Sequence, residues 1–333
     1  MRHLLRLFAL LVIAVSALLI DAARVLQGPL RLDGERTLLL EPGTSAALLV
    51  QRLAQDGWLD AQPRSTWYLR AYTRLSGAAT QLKAGEYAVP AQTSPLELLE
   101  LIVSGQTILH ELRLIEGWTF RQALAAVRAH PQLRQTLESA EGPAVMAAIG
   151  RAGQHPEGRL FPDTYRFSRG MTDVAFLRRA AETMDRVLAE EWAARAEDLP
   201  YAMPDEALVM ASIIEKETGV EHERGQIAGV FVRRLRLGMR LQTDPTVIYG
   251  LGERFDGNLR RHHLLTDGEY NTYTRSGLPP TPICLPGRAS LRAALNPAPG
   301  KTLYFVARGD GTHEFSETLE AHNAAVRRYQ LGR

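Results

Sequence analysis

The sequence predicts an α+β protein: one N-terminal transmembrane helix, a small α+β subdomain, and a larger mixed α+β domain. Three observations lead there. An apolar run occupies most of the first 23 residues, some 90 residues from Thr37 repeat a short strand, a turn and an amphipathic helix, and the second half carries long helices followed by turn-dense loops. At roughly 150 residues per domain, 333 residues accommodate about two folded bodies.

Leu7 to Ile20 reads LFALLVIAVSALLI, preceded by Arg2, His3 and Arg6 and followed by Asp21. The run is short for a spanning helix and suits a signal-peptide core equally well. Cleavage after Ala23 would put Asp21 three positions back, and cleavage after Ala22 would put Ile20 there, where the peptidase prefers small residues. A retained anchor over residues 1–23 is therefore expected. Arg6 can reach back to the headgroups, the basic cluster stays cytoplasmic, and the chain beyond Arg24 lies outside.

Three strand-to-helix units follow. TLLLEPGTSAALLVQRLAQ offers Thr44 or Ser45 as helix cap. In LKAGEYAVPAQTSPLELLELIVSG, Ser94 caps, Pro95 opens the helix and Gly105 closes it. HELRLIEGWTFRQALAAVRAH is capped by Thr119, and STWYLRAYTRLSG forms an aromatic helix between the first two units. Beyond Gly153–Gly158 come LFPDTYRF, a long helix from Val174 to Ala196, and a helix starting at Pro204. After Gly238 turns dominate, Asp244-Pro245 among them. LYFVARGDGTHEF reads as a hairpin turning at Arg308 to Gly311, and a helix over Leu319 to Tyr329 closes the domain.

Composition narrows the chemistry. Hydrophobic residues at 45% and charged residues at 23% describe a chain that buries a core. A formal net charge of +2 gives no field for nucleic acid. One cysteine, Cys284, excludes internal disulfides and multi-cysteine metal sites. His222-Glu223 and His262-His263 lack zinc-helix spacing, and GxSxG, GxGxxG and Walker loops are missing, so neither a metal nor a cofactor is expected.

The helix ALVMASIIEKETG holds the most informative carboxylate. With Ile213 at zero, Glu217 falls at about 40°, Met210 at about 60° and Ile214 at about 100°, so Glu217 sits within the apolar stripe. Glu215 falls on the other side, with Ser212 and Lys216. A carboxyl aimed at apolar surroundings keeps its proton, which suits a general acid. The alternative is a helix that frays beside Gly219 and lets Glu217 reach water. The loops beyond Gly238 gather Gln242, Thr243, Asp244, Tyr249, Asn271, Tyr273, Asn296 and His313, a set able to hold sugar faces and hydroxyls, or equally to cap turns.

LFPDTYRF, ASIIEKETG, RLRLGMRLQTDPTVIYGLGER, YNTYTRSGLPPTPICLPG and LYFVARGDGTHEFSET occur in this order and resemble the endolytic murein transglycosylase, or YceG-like, family. The resemblance covers most of the second half. It departs at Arg159, where the family usually has an aromatic, and at Cys284, where a small residue is common. It implies a LysM-like subdomain over 24–105, a catalytic domain over 106–333, and an inner-membrane protein facing the periplasm. It further implies water-free cleavage of the MurNAc–GlcNAc bond of peptidoglycan strands to 1,6-anhydroMurNAc ends, near the synthases or division proteins that make them. The family acid maps to Glu217, with Glu215 as runner-up. Gln242, Asp244, Tyr249, Asn271 and Tyr273 are the expected glycan contacts. Two rival functions stand beside this: a non-catalytic glycan-binding scaffold, and a hydrolase using Asp244 as second carboxylate.

Overall fold

The protein is described from a computed structural model, which covers residues 2–60 and 62–332. It divides into two compact units, Met1–His110 with Arg166–Gly170, and Glu111–Tyr165 with Met171–Arg333.

In the first unit, α1 (Arg2–Gln27) exposes its large apolar side chains from Leu4 to Ile20. It is long and apolar enough to cross a membrane. The helix runs past residue 23, and its last turn belongs to the folded body: Leu26 is buried, with Ala22 and Val25 packed beside it. Strands β1 (Arg36–Leu40) and β2 (Gly85–Val89) pair antiparallel, Leu38 opposite Tyr87. Between them lie α2 (Ala46–Gln55), capped by Ser45, and α3 (Pro63–Leu75). Their core holds Leu38, Leu49, Leu53, Tyr87, Leu98 and Ile102. Helix α4 (Pro95–Ser104) starts with a reciprocal Ser94–Glu97 capping box and Pro95, and ends at Gly105, whose φ of 78° is left-handed.

The chain passes to the second unit along β3 (Leu109–Arg113), which pairs with β4 (Thr164–Ser168). Helices α5 (Phe120–Ala129, capped by Thr119) and α6 (Gly142–Ala148) precede β4. The long α7 (Asp173–Ala193) follows. The core is built around α8 (Pro204–Glu217), whose residues Ala207 to Ile214 are all buried. Ser212, expected on a polar side, is buried too, because α12 (Arg288–Leu295) and the segment before it cover that face: the Ile283 N–H donates to Ser212 Oγ at 3.0 Å. Helix α9 (Arg224–Arg236) packs against α8 and α12. Asp244-Pro245, read as a turn, instead opens α10 (Asp244–Leu251), with proline in the first turn where its missing N–H costs nothing. A short α11 (Arg261–Leu265), the hairpin β5 (Tyr304–Ala307) and β6 (His313–Ser316), and α13 (Leu319–Tyr329) complete the unit.

One buried charge ties this unit locally. Asp173 is fully buried and accepts from Thr136 N–H at 2.9 Å, Thr136 Oγ1 at 2.6 Å and Leu137 N–H at 3.0 Å. Burial alone would raise its pKa, yet these hydrogen bonds outweigh it and hold the carboxyl below its usual value. A depressed folded pKa gives stability that is present at neutral pH and lost as pH falls through that value. Asp173→Ala is expected to cost about 2–3 kcal/mol at neutral pH, and less in acid, in urea unfolding curves; an unchanged midpoint at neutral pH would remove the tie.

Candidate active site

Glu217 is the last residue of α8, where Thr218 leaves helical geometry. The neighbouring wall is the loop entering α10. Gln242 has a left-handed φ of 51°, and its N–H donates to the Thr272 carbonyl at 3.1 Å. That bend turns Thr243 inward. The Thr243 N–H donates to Thr272 Oγ1 at 3.0 Å, and Thr246 Oγ1 donates to the Thr243 carbonyl at 2.8 Å. All three threonines are buried. Thr243 Oγ1 is thereby aimed at Glu217 and donates to its Oε1. Among the described residues Oε2 has no hydrogen-bond partner.

The surroundings set the proton affinity of Glu217. Burial pushes its pKa up, the Thr243 hydrogen bond pulls it down, the charge of Asp244 raises it, and His313 and Arg234 lower it. The balance is about 7. Helix α8 does end at Glu217, but the side chain is not released to open water. Arg234 is itself buried, donating to the carbonyls of Leu303 at 2.7 Å and Leu241 at 2.9 Å. His313 is gripped by Glu223, which accepts from the ring Nδ1 at 2.7 Å and from the His313 N–H at 2.8 Å.

The five residues expected to contact glycan separate into three groups. Asp244 and Tyr273 lie with Glu217: Tyr273 Oη donates to Asp244 Oδ1, and both side chains act electrostatically on Glu217 or feel it. Gln242 has an exposed side chain and contributes the backbone bend. Tyr249 and Asn271 hydrogen-bond to other parts of the unit. Tyr249 Oη donates to Glu157 at 3.0 Å, and its ring packs edge-on to Tyr270 with centroids 4.9 Å apart. Asn271 spends its amide on the carbonyls of His263, Leu264 and Thr266, and accepts from the Tyr273 N–H at 2.9 Å. It pins the loop that carries Tyr273.

A second carboxyl, Glu157, escaped the sequence reading. It is 4% exposed, and burial raises its pKa to about 7 against hydrogen bonds from the Phe120 N–H and Tyr249. Those donors occupy both of its oxygens, Phe120 N–H on Oε1 at 2.7 Å and Tyr249 on Oε2. Glu157 therefore clamps the start of α5 to α10, whereas Glu217 keeps an oxygen free. Nothing in PEGRLFPDTY marks this glutamate, because its donors come from residues 37 and 92 positions away. Glu215 accepts from the Gly287 N–H at 2.9 Å, at the start of α12, and so anchors that helix. Burial pushes the Cys284 thiol well up, and its Sγ lies 3.3 Å from the Ser212 carbonyl, a packed and unreactive setting. Among the described residues no three His, Cys, Asp or Glu side chains gather to hold a metal ion.

An α+β domain in which the buried carboxyl of Glu217 has a pKa of about 7 and keeps one oxygen unbonded defines a candidate acid site. The chain belongs to the YceG-like family, whose sequence profile matches residues 38–328. Over 177 residues it is 38% identical to the endolytic murein transglycosylase of Bacillus subtilis, covering 53% of this chain and 49% of that protein. Its counterpart in Streptococcus pneumoniae is 26% identical over 283 residues, 74% of this chain and 50% of that protein. This chain thus spans about half the length of these curated relatives. A crystal structure of a yceG-like protein from Listeria monocytogenes superposes with a TM-score of 0.55 at 30% identity, over 88% of this chain and 99% of that one.

A carboxyl whose pKa rises on folding stabilises the fold below its unfolded pKa, and that contribution is lost as pH climbs toward the folded value. For Glu217 the window runs from 4.5 to about 7. Glu217→Gln is expected to match the parent in unfolding free energy near the lower end and to exceed it by about 2–3 kcal/mol above pH 8. Equal stability across the range would mean that Glu217 is not desolvated.

Proposed function

We propose that this chain is an endolytic lytic transglycosylase that cleaves the MurNAc–GlcNAc bond of peptidoglycan strands and leaves 1,6-anhydroMurNAc ends. The observation that carries this reading is Glu217: a carboxyl with a pKa of about 7, fixed through one oxygen by Thr243 and open at the other. The curated relatives named endolytic murein transglycosylase supply the substrate class.

In this reading Glu217 begins protonated and donates from Oε2 to the bridging oxygen as positive charge develops at the muramic anomeric carbon. The carboxylate then removes the proton from the C6 hydroxyl of the same sugar, whose oxygen attacks the anomeric carbon and closes the anhydro ring. One carboxyl acts twice, and the nucleophile comes from within the substrate, so proximity replaces an activated water. Thr243 holds Oε1 throughout. Asp244 keeps the proton affinity of Glu217 high, and Tyr273 and the exposed Gln242 offer hydroxyl and amide groups to the glycan.

Helix α1 is read as a single-pass anchor in the inner membrane, with the chain beyond Arg24 on the periplasmic side. Residues 24–105, in which two antiparallel strands flank α2 and α3, are read as the LysM-like subdomain. The biological role proposed is termination of nascent glycan strands, close to the synthases or division proteins that extend them.

Two experiments test this. Glu217→Gln should reduce anhydro-ended products from purified glycan strands about a thousandfold or more, with an unchanged circular dichroism spectrum; activity close to the parent's would remove Glu217 from the chemistry. Asp244→Asn removes a negative charge that raises the Glu217 pKa, so the alkaline limb of the pH–rate profile should move to lower pH while the products keep their anhydro mass. Products heavier by one water, abolished in Asp244→Asn, would instead establish the hydrolase reading.

A further inference from the structure

Helix α3 carries an outer face that the proposed reaction does not use. At 100° per residue, Arg64, Arg70 and Arg74 lie within about 60° of Trp67, and Leu75 within about 80°. The opposite face, Ser65, Leu69 and Thr73, is buried in the core of the first unit. Outward, Trp67 is 60% exposed and Leu75 88% exposed, and all three arginines are exposed. No acidic residue occurs in PRSTWYLRAYTRL. Arg64 pairs with Asp21, while Arg70 and Arg74 form no ion pair among the described residues.

This face lies at a known place along α1. Asp21 accepts from Arg64 Nη1 at 3.0 Å and from Tyr68 Oη at 2.9 Å, which ties the start of α3 to the turn that follows Ile20. Leu18 of α1 shares one shallow groove with Arg64, Trp67 and Arg70. The exposed apolar stretch from Leu4 to Ile20 is about 25 Å long at 1.5 Å per residue, close to the hydrocarbon thickness of a bilayer. A bilayer that holds this stretch ends at Asp21, so its headgroup layer reaches the level of Trp67 and Arg70, with Arg74 one turn further on the same face. An amphipathic ring flanked by guanidinium groups is the side-chain chemistry that partitions there.

We propose that the outer face of α3 docks on the headgroup layer of an anionic bilayer, with Trp67 at the interface and Arg70 and Arg74 on lipid phosphates. The inference rests on α1 being the membrane anchor. Docking fixes the first unit against the membrane surface instead of leaving it to swing about the end of α1. A basic aromatic face could also meet a glycan. The shared groove with Leu18 favours lipid, because a glycan would there have to lie against a side chain that belongs in hydrocarbon.

The test uses the full chain in nanodiscs of phosphatidylcholine, with or without one-third phosphatidylglycerol. Tryptophan emission is quenched by lipids brominated just below the headgroup, or by acrylamide from the water. The difference between the parent and Trp67→Phe isolates Trp67. The expected result is that bromolipid quenches Trp67 strongly, more so with phosphatidylglycerol. Arg70→Glu with Arg74→Glu should lower the docked-to-free ratio by roughly fivefold or more per arginine, with circular dichroism unchanged. Trp67 quenched by acrylamide and not by bromolipid, while the chain stays in the membrane through alkaline carbonate washing, overturns docking and leaves the anchor standing. Acrylamide protection gained only on adding glycan strands also overturns it, in favour of a glycan face. Release by carbonate overturns the anchor and the docking together.

Discussion

One opposition governs the candidate site: a carboxyl driven toward its neutral form by burial, and restrained by a single hydroxyl donor. Full desolvation with no partner would keep Glu217 protonated at every physiological pH, and a set of strong donors would keep it ionised. Thr243 alone, with the more distant charges of Asp244, His313 and Arg234, leaves the balance near neutrality. Glu157 shows the contrast within the same unit. Its pKa is also about 7, yet both of its oxygens are engaged, so it serves as a clamp. Proton affinity alone does not distinguish an acid from a strut; the free oxygen does.

That restraint depends on packing that is remote from the carboxyl. Helix α8 is buried on every side through its middle turns, so its C-terminal residue has little freedom to move away. The wall opposite is held by three mutually bonded threonines and by the left-handed bend at Gln242, which is uncommon for a residue with a side chain. Asn271 secures the segment bearing Thr272 and Tyr273 by satisfying three backbone carbonyls. The outer end of this arrangement is the hydrogen-bonded pair Asp244 and Tyr273.

The first unit solves a different problem. A long helix with an exposed apolar stretch must join a folded body within a few residues. Here the same helix does both, exposed as far as Ile20 and built into a hydrophobic core from Ala22 onward, with Asp21 bonded at the changeover. A continuous helix transmits orientation in a way that a flexible linker would not.

Much of the local structure was legible in the chain itself, because capping and breaking are short-range. Ser45, Ser94 and Thr119 cap as expected, Gly105 closes α4, and the hairpin and closing helix fall where their residues place them. The position of Glu217 among apolar neighbours was legible for the same reason, since a helix repeats every 3.6 residues. Other features were not. Whether Asp244-Pro245 turns the chain or opens a helix depends on Thr272, which holds Thr243 from 29 positions away, and the burial of Ser212 depends on α12, some 75 residues away. The fates of Tyr249, Asn271 and Glu157 depend on partners that only folding brings near. Sequence determined that Glu217 shares a helix face with Met210, Ile213 and Ile214, because that follows from local periodicity. Tertiary structure decided which side chains attend it, because hydrogen-bond partners across a core have no fixed spacing along the chain.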